Sequence, residues 1–334
     1  MRKLPLSLCR IILAFLLLLL SNRIVNAQFI PVFVFYEDSL KKLGPLILNG
    51  KDDFIKYNAN DRFLTLLKEA LEINNSFDYP FDSLITISRL EAPDHSFRIF
   101  TWNLPKSDGT YEHFGFIQSY NKRRKKYQVF ELDDHSDELK DYEHQTLYPD
   151  NWFGAHYYKM IYTHNKKKKY YTLLGWDGNN ATSDKKIVDV LTFRSNGSPV
   201  FGASIFKNYG KKLKRVVFEY SQKASMLLNY DNQQYYVAKK KRFIFRKKKK
   251  KNDVKIKKIK SGMIVFDYLM PLDESLKGRY EYYVPSVEFV DAFVWIDGKW
   301  QYIHDVDARN PEKPINFIPP NKRPPQKDFY KPLK

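Results

Sequence analysis

The 334 residues hold one cysteine, Cys9. A lone thiol closes no internal disulfide, and Cys-based zinc or iron–sulfur centres need several thiolates, so these are excluded. Sequence signatures of several enzyme classes are also missing. There is no His-Glu-x-x-His, no Gly-x-Ser-x-Gly, no phosphate-binding P-loop and no Gly-x-Gly-x-x-Gly. That argues against zincins, α/β-hydrolases, P-loop NTPases and dinucleotide-binding enzymes. A Ser-His-Asp set gathered from distant loops, or a pair of glycosidase carboxylates, leaves no such signature, so both stay open. The seven histidines are scattered, and His156 and His164 are too far apart along one strand to meet on one metal. No metal site and no cofactor is expected, and no catalytic residue can be named.

Long apolar runs are scarce too. Ile11–Leu20 is unbroken but bracketed by Arg10 and Arg23, well short of the roughly 20 residues a spanning helix needs. Arg2 and Lys3 precede it, and Val25-Asn26-Ala27 follow it. That layout predicts a cleaved secretory signal over residues 1–27 and a mature chain from Gln28 with no transmembrane span. Cys9 lies before the apolar run rather than just after it, so no lipid anchor is expected, and cleavage would remove the only thiol. The expected location is the periplasm or the cell surface.

Charge is abundant but local. The chain carries +19, and four of those positives lie in the first 27 residues. Lys239–Lys260 holds fourteen Lys/Arg against Asp253, a local +13 that leaves the rest of the mature chain at about +2. The protein is therefore near-neutral with a basic block, not basic throughout. Within the block Arg246, Lys247, Lys248, Lys249, Lys250 and Lys251 form an uninterrupted run, and Phe243, Ile244 and Phe245 separate it from a first cluster. One reading is a footprint for a polyanion. The other is a solvated, lysine-rich hairpin tip. Without Gly-rich or base-stacking motifs, nucleic acid is the poorer partner. An anionic glycan, a lipid or an envelope protein is the better one.

The pattern along the chain predicts a mainly β protein, an antiparallel meander or sandwich with a short helical segment near its start. Gln28–Tyr36 reads as a short strand. Asp61–Ile73 reads as an amphipathic helix with Asn60 as its N-cap, because Phe63, Leu64, Leu66, Leu67, Ala70 and Leu71 share one broad face. From about residue 91 to 310 strand follows strand. Asp108-Gly109, Asn196-Gly197 and Asp297-Gly298 sit between apolar runs and supply the positive φ angles of tight hairpins. Lysine-rich runs at Asn121–Lys126, Asn165–Lys169, Lys207–Arg215 and Arg246–Asn252 read as further tips, where charge discourages edge-to-edge association. About a dozen strands are expected, too many for one small flat sheet. Ile264–Leu269 and Phe289–Ile296 are apolar on both faces and belong at the centre. The expected divisions are 28–90, 91–310 with a basic hairpin insertion at 239–260, and a Pro-rich tail at 311–334.

Four segments carry a resemblance: Lys169–Asn180 (KYYTLLGWDGNN), Pro199–Phe206 (PVFGASIF), Arg215–Asp231 (RVVFEYSQKASMLLNYD) and Val306–Asn310 (VDARN). Over roughly its C-terminal half the chain resembles a set of uncharacterised exported proteins of Bacteroidota. The resemblance implies export from a Gram-negative cell and assigns no activity and no site.

Three further groups are candidates. Trp176, Asp177, Asn179, Asn180 and Asp184 follow a clear strand and combine a flat apolar ring with several oxygens, which suits a sugar or a cation. An Asx-rich turn explains the same residues. Asp305, Asp307 and Arg309 end the last strand and either line a cleft or form a structural ion-pair group. Asp133, Asp134, Asp137, Glu138, Asp141 and Glu143 surround His135 without a calcium-loop pattern, which favours a solvated loop. The expected function is a non-enzymatic exported envelope protein that binds an anionic partner. The alternatives are a carbohydrate-active hydrolase on a β scaffold and a structural module that docks on another envelope protein.

Overall fold

The computed structural model describes residues 31–238 and 256–306, with 233–238 and 256–260 described by their backbone alone. The expected signal, the run Arg246–Lys251, Asp307, Arg309 and the Pro-rich tail lie outside the described residues.

Two helices come first, α1 over residues 31–49 and α2 over Asp53–Glu72. The strand expected over Gln28–Tyr36 is therefore corrected: from residue 31 the chain is helical. Phe33, Leu40, Leu43 and Ile47 are buried along one side of α1. That helical period emerges only across the whole stretch, whereas the first residues alone look like a strand. The start of α2 is corrected too. Asp52 is its N-cap and accepts from the Ile55 amide at 2.9 Å. Asn60 lies well inside the helix, fully buried, and accepts from Trp102 Nε1 at 2.8 Å. Before Ala59 no residue of α2 is buried, and Phe54 is 80% exposed, so the apolar stripe starts later than the helix.

The strands in chain order are β1 (Ser88–Glu91), β2 (Phe97–Pro105), β3 (Tyr111–Asn121), β4 (Lys126–Leu132), β5 (His156–Asn165), β6 (Lys168–Asp177) and β7 (Ser183–Phe193). Next come β8 (Pro199–Phe201), β9 (Phe206–Lys207), β10 (Val216–Ser221), β11 (Leu228–Ala238), β12 (Ile256–Pro271), β13 (Tyr283–Ile296) and β14 (Lys299–Ile303). They form three sheets: β1-β2-β3-β4, then β10-β7-β6-β5 with β8 beside β7, then β11-β12-β13-β14-β9. Every pairing is antiparallel except β14 with β9. The mainly β, antiparallel architecture is as the sequence pattern requires. Asp297 and Gly298 both take positive φ, 52° and 76°, in the two-residue link from β13 to β14, the backbone a type I′ hairpin needs.

One lysine run is not a tip. Lys207–Arg215 joins β9 in the third sheet to β10 in the second. Its last residue, Arg215, is fully buried with Nε 3.2 Å from Asp189 Oδ2, and Nη1 donates to the Gln145 carbonyl at 3.2 Å. A carboxylate and main-chain carbonyls make that burial tolerable.

Strand alternation stacks the layers. On β2, Phe100, Trp102 and Leu104 join the core shared with the helices. Phe97 and Ile99 face the opposite way, into a core with Tyr157, Tyr171, Leu173 and Leu191 of the second sheet. On β6 and β7, Leu174, Val188 and Val190 then meet Ile264, Phe266, Phe293 and Trp300 of the third sheet. The order is helices, first sheet, second sheet, third sheet. Met263 to Phe266 are all buried, but Tyr268 is 42% exposed and β12 and β13 belong to the outermost layer, so the central placement expected of these strands holds only for their middle residues. Among the described residues no helix is long and apolar enough to cross a membrane.

Candidate functional site

The first and second sheets pack as a sandwich, and strand direction gives it two distinct ends. The β2–β3 and β6–β7 turns lie at one end; the β3–β4, β5–β6 and β7–β8 turns lie at the other.

The first end holds the Trp176–Asp184 group. Its oxygens are largely used inside the turn. Asp177 Oδ1 accepts from the Asn179 amide at 2.7 Å, and Asn180 Oδ1 accepts from the Thr182 amide at 2.9 Å and the Ser183 amide at 3.1 Å. Asn179 donates to Ser183 Oγ and accepts from Lys185 Nζ at 2.6 Å. Trp176 sets its ring edge-on to Tyr111, 5.4 Å away, and donates from Nε1 to Asp184 at 3.4 Å. Burial pushes the Asp184 carboxyl above its ordinary value. The group is thus a side-chain-bonded turn.

Beneath this turn lies His113, which carries no sequence signal of its own. It is 2% exposed, on β3 of the first sheet. Nδ1 donates to Asp134 Oδ2 at 3.1 Å. Nε2 has no hydrogen-bond partner, and its nearest carboxylate oxygen, Asp177 Oδ1 on the second sheet, is 3.6 Å away. Burial alone would lower the imidazole pKa, but Asp177 and Asp134 together hold it above the ordinary value. Burial works the other way on Asp134, where His113 and Ser136 prevail and bring the carboxyl down to about 2. Asp134 also accepts from the Gly154 amide at 3.0 Å. A Cβ on Gly154 would lie 2.3 Å from that carboxylate, so only glycine admits the contact. Of the acidic run that surrounds His135, Asp134 is therefore a buried structural partner. His135 stays at the surface between Asp133 and Glu138. A small cleft of about 190 Å³ sits above, lined by Lys106, Tyr111, Glu112, Asp177 and Glu138 among others. The Asp134 and Asp177 carboxylates flank the His113 imidazole.

Asp305 is elsewhere. Its amide donates to Asp291 Oδ1 at 3.2 Å, and buried Asp291 also accepts from Tyr302 Oη at 2.7 Å and His304 Nδ1 at 2.8 Å. This network belongs to the third sheet and Asp305 does not line the cleft with Asp177 and Asn179. Asp307, Arg309 and Arg246–Lys251 lie outside the described residues.

The opposite end of the sandwich is a cleft of about 780 Å³, within the roughly 300–1,000 Å³ typical of ligand sites. Lys122 comes from the β3–β4 tip, Lys167, Lys168 and Lys169 from the β5–β6 tip, and Arg194 from the β7–β8 turn. No carboxylate lines it. Tyr120, Tyr171 and Phe193 supply aromatic surface, and Ser96, Ser119, Thr192 and Ser195 supply hydroxyls. Two cross-sheet fastenings build the floor. Ser119 Oγ donates to the Gly197 carbonyl at 2.6 Å. Asp94 accepts from Ser96 Oγ at 2.6 Å, Tyr171 Oη at 2.9 Å and Lys169 Nζ. Burial raises the Asp94 carboxyl, and these three donors outweigh it to hold the group below its ordinary value. Lys169 is thereby neutralised. Among the described residues, Lys122, Lys167, Lys168 and Arg194 have no carboxylate within ion-pairing distance. Arg194 lies over the Tyr148 ring at 4.7 Å and Lys168 over Tyr170 at 5.3 Å.

Each lysine tip is visible in the sequence. Their convergence is not, because it depends on how two sheets stack. No family model, curated protein or solved structure matches this chain.

Proposed function

We propose that this chain is an exported, non-enzymatic envelope protein that binds an anionic glycan in the basic cleft. One observation carries the reading: three tips far apart in sequence bring four cations without a carboxylate partner, Lys122, Lys167, Lys168 and Arg194, to one concavity beside Lys169, which Asp94 neutralises. Crowding like charges is unfavourable for the free protein and becomes favourable when an anion enters. Aromatic faces and hydroxyls beside the cations suit sugar rings with acidic substituents. A concave site of this size fits a chain of sugars better than a flat membrane surface. Export rests on the signal-like residues 1–27 and on the resemblance of the C-terminal half to exported proteins. The run Arg246–Lys251 adds long-range attraction for the same class of partner.

The test is a binding panel at low salt with oligouronates, neutral oligosaccharides of equal length and anionic vesicles. The expected result is saturable binding of the oligouronates alone, lost in the Lys122→Glu, Lys168→Glu, Arg194→Glu triple variant. Equal binding of neutral sugars, binding of vesicles alone, or binding untouched by the triple variant overturns the reading.

A further inference from the structure

The β3–β4 tip has a second cleft on its other side. It measures about 550 Å³, and its lining includes Arg124, Lys125, Lys126 and Tyr127 with Asn74 and Asn75 from the end of α2. Tyr120 lines both this cleft and the larger basic one, and its side is 40% exposed. One aromatic residue therefore stands at the crest between two concavities, with cations on either side. Glu72 lines the second cleft too, against three cations, so its balance stays positive.

The crest is held in place. Asn121 Oδ1 accepts from the Arg123 amide at 2.9 Å and the Arg124 amide at 3.1 Å, which fixes the turn that carries the cations. Tyr120 meets Tyr127 edge-on at 5.3 Å, and Tyr127 stacks on Phe77 at 4.2 Å. The aromatic wall thus runs from Tyr120 through Tyr127 to the buried Phe77. A platform preorganised in this way loses little freedom when a ring settles on it.

We infer that the partner is a linear acidic polysaccharide that crosses the β3–β4 tip and occupies both clefts, with a sugar ring over Tyr120. The inference rests on the glycan reading above and extends it from one cleft to two. A single headgroup or isolated anion fills one cleft and leaves the other idle. A chain with regularly spaced acidic groups engages Lys122, Lys168 and Arg194 on one side and Arg124 and Lys126 on the other. Two linked sites act on one chain, so the second contact is effectively intramolecular and affinity rises with ligand length.

The test is a titration series of oligouronates from dimer to octamer against the whole protein. Affinity is expected to rise at least tenfold from dimer to octamer, beyond the statistical gain from extra registers. In the Arg124→Ser, Lys126→Ser variant that gain is expected to vanish while dimer affinity stays within twofold. Both positions are at a solvated tip, and an unchanged melting temperature will confirm that the variant is folded. Dimer binding with no length dependence overturns the two-cleft inference and leaves the glycan reading intact. So does a length gain that the variant retains. Failure of every oligomer to bind overturns both.

Discussion

Where β6 runs into its turn, charge is buried and cancelled: His113 sits between Asp134 and Asp177, with Lys185 Nζ 3.8 Å from the second carboxylate. At the far end of the same strands charge is exposed and of one sign: Lys122, Lys167, Lys168 and Arg194 share a cleft without a carboxylate. Both ends stand on the same packed core between the first and second sheets. They differ in what each arrangement does for the free protein. Opposite charges in a dry site are lost at high cost if one partner is removed. Like charges in water contribute nothing to the fold and repel one another; under the proposed function an entering anion relieves that repulsion. The first end therefore contributes to stability, and under the proposed function the second serves binding.

The largest expected effect follows from removing the imidazole. His113→Ala leaves two buried carboxylates facing each other and is expected to destabilise the protein by about 3–5 kcal/mol. Denaturant unfolding measures this, and glycan affinity under conditions where the variant is folded should be unchanged. A loss below about 1 kcal/mol, the scale of an ordinary exposed pair, would dissolve the distinction between the ends.

A pH series sharpens the same contrast. Asp134 is held at about 2 in the folded state, below the ordinary carboxylate value. Its stabilisation is therefore complete above about pH 4 and disappears as the pH falls towards 2, a contribution of about 2 kcal/mol. The His113 pKa is raised, so its stabilisation is complete below about pH 6.5 and declines as the pH rises through the elevated value. Stability is expected to peak between those limits. His113→Gln should flatten the alkaline limb, and an unaltered profile would contradict the account.

The basic end predicts the reverse behaviour. Replacing Lys122, Lys167 and Arg194 together by serine should leave stability within about 0.5 kcal/mol, as for surface positions outside any network. Oligouronate binding should fall at least tenfold, read by titration calorimetry. The smallest change is expected from replacing Arg246–Lys251 by serine. It should slow association and weaken its salt dependence while keeping the preference for acidic over neutral sugars. Loss of that preference would move the site away from the cleft.

The sequence makes some of this contrast legible. Asp297-Gly298 marks its hairpin because only certain residues take the required backbone. The lysine tips at Asn121–Lys126 and Asn165–Lys169 stand out because charge interrupts strands. Residues 31–49 mislead because the nine residues of Gln28–Tyr36 are too few to separate a buried helix from a strand. Asn60 is a fair cap by type, yet it is spent on Trp102 across 42 residues. His113 is invisible for the same reason: its partners are 21 and 64 positions away, one in the loop after β4 and one on the second sheet. Local rules report local geometry, and both sandwich ends are built by sheet stacking.

Under the proposed function, the unpaired cations of the open end neutralise an acidic sugar chain. The most direct measurement is the slope of log K against log salt concentration for an octauronate, compared between the natural protein and the Lys122→Ser, Lys167→Ser, Arg194→Ser variant. Counterion release predicts a steep negative slope for the natural protein and one shallower by about two to three in the variant. Identical slopes would show that these side chains touch no anionic group, and the account would fall.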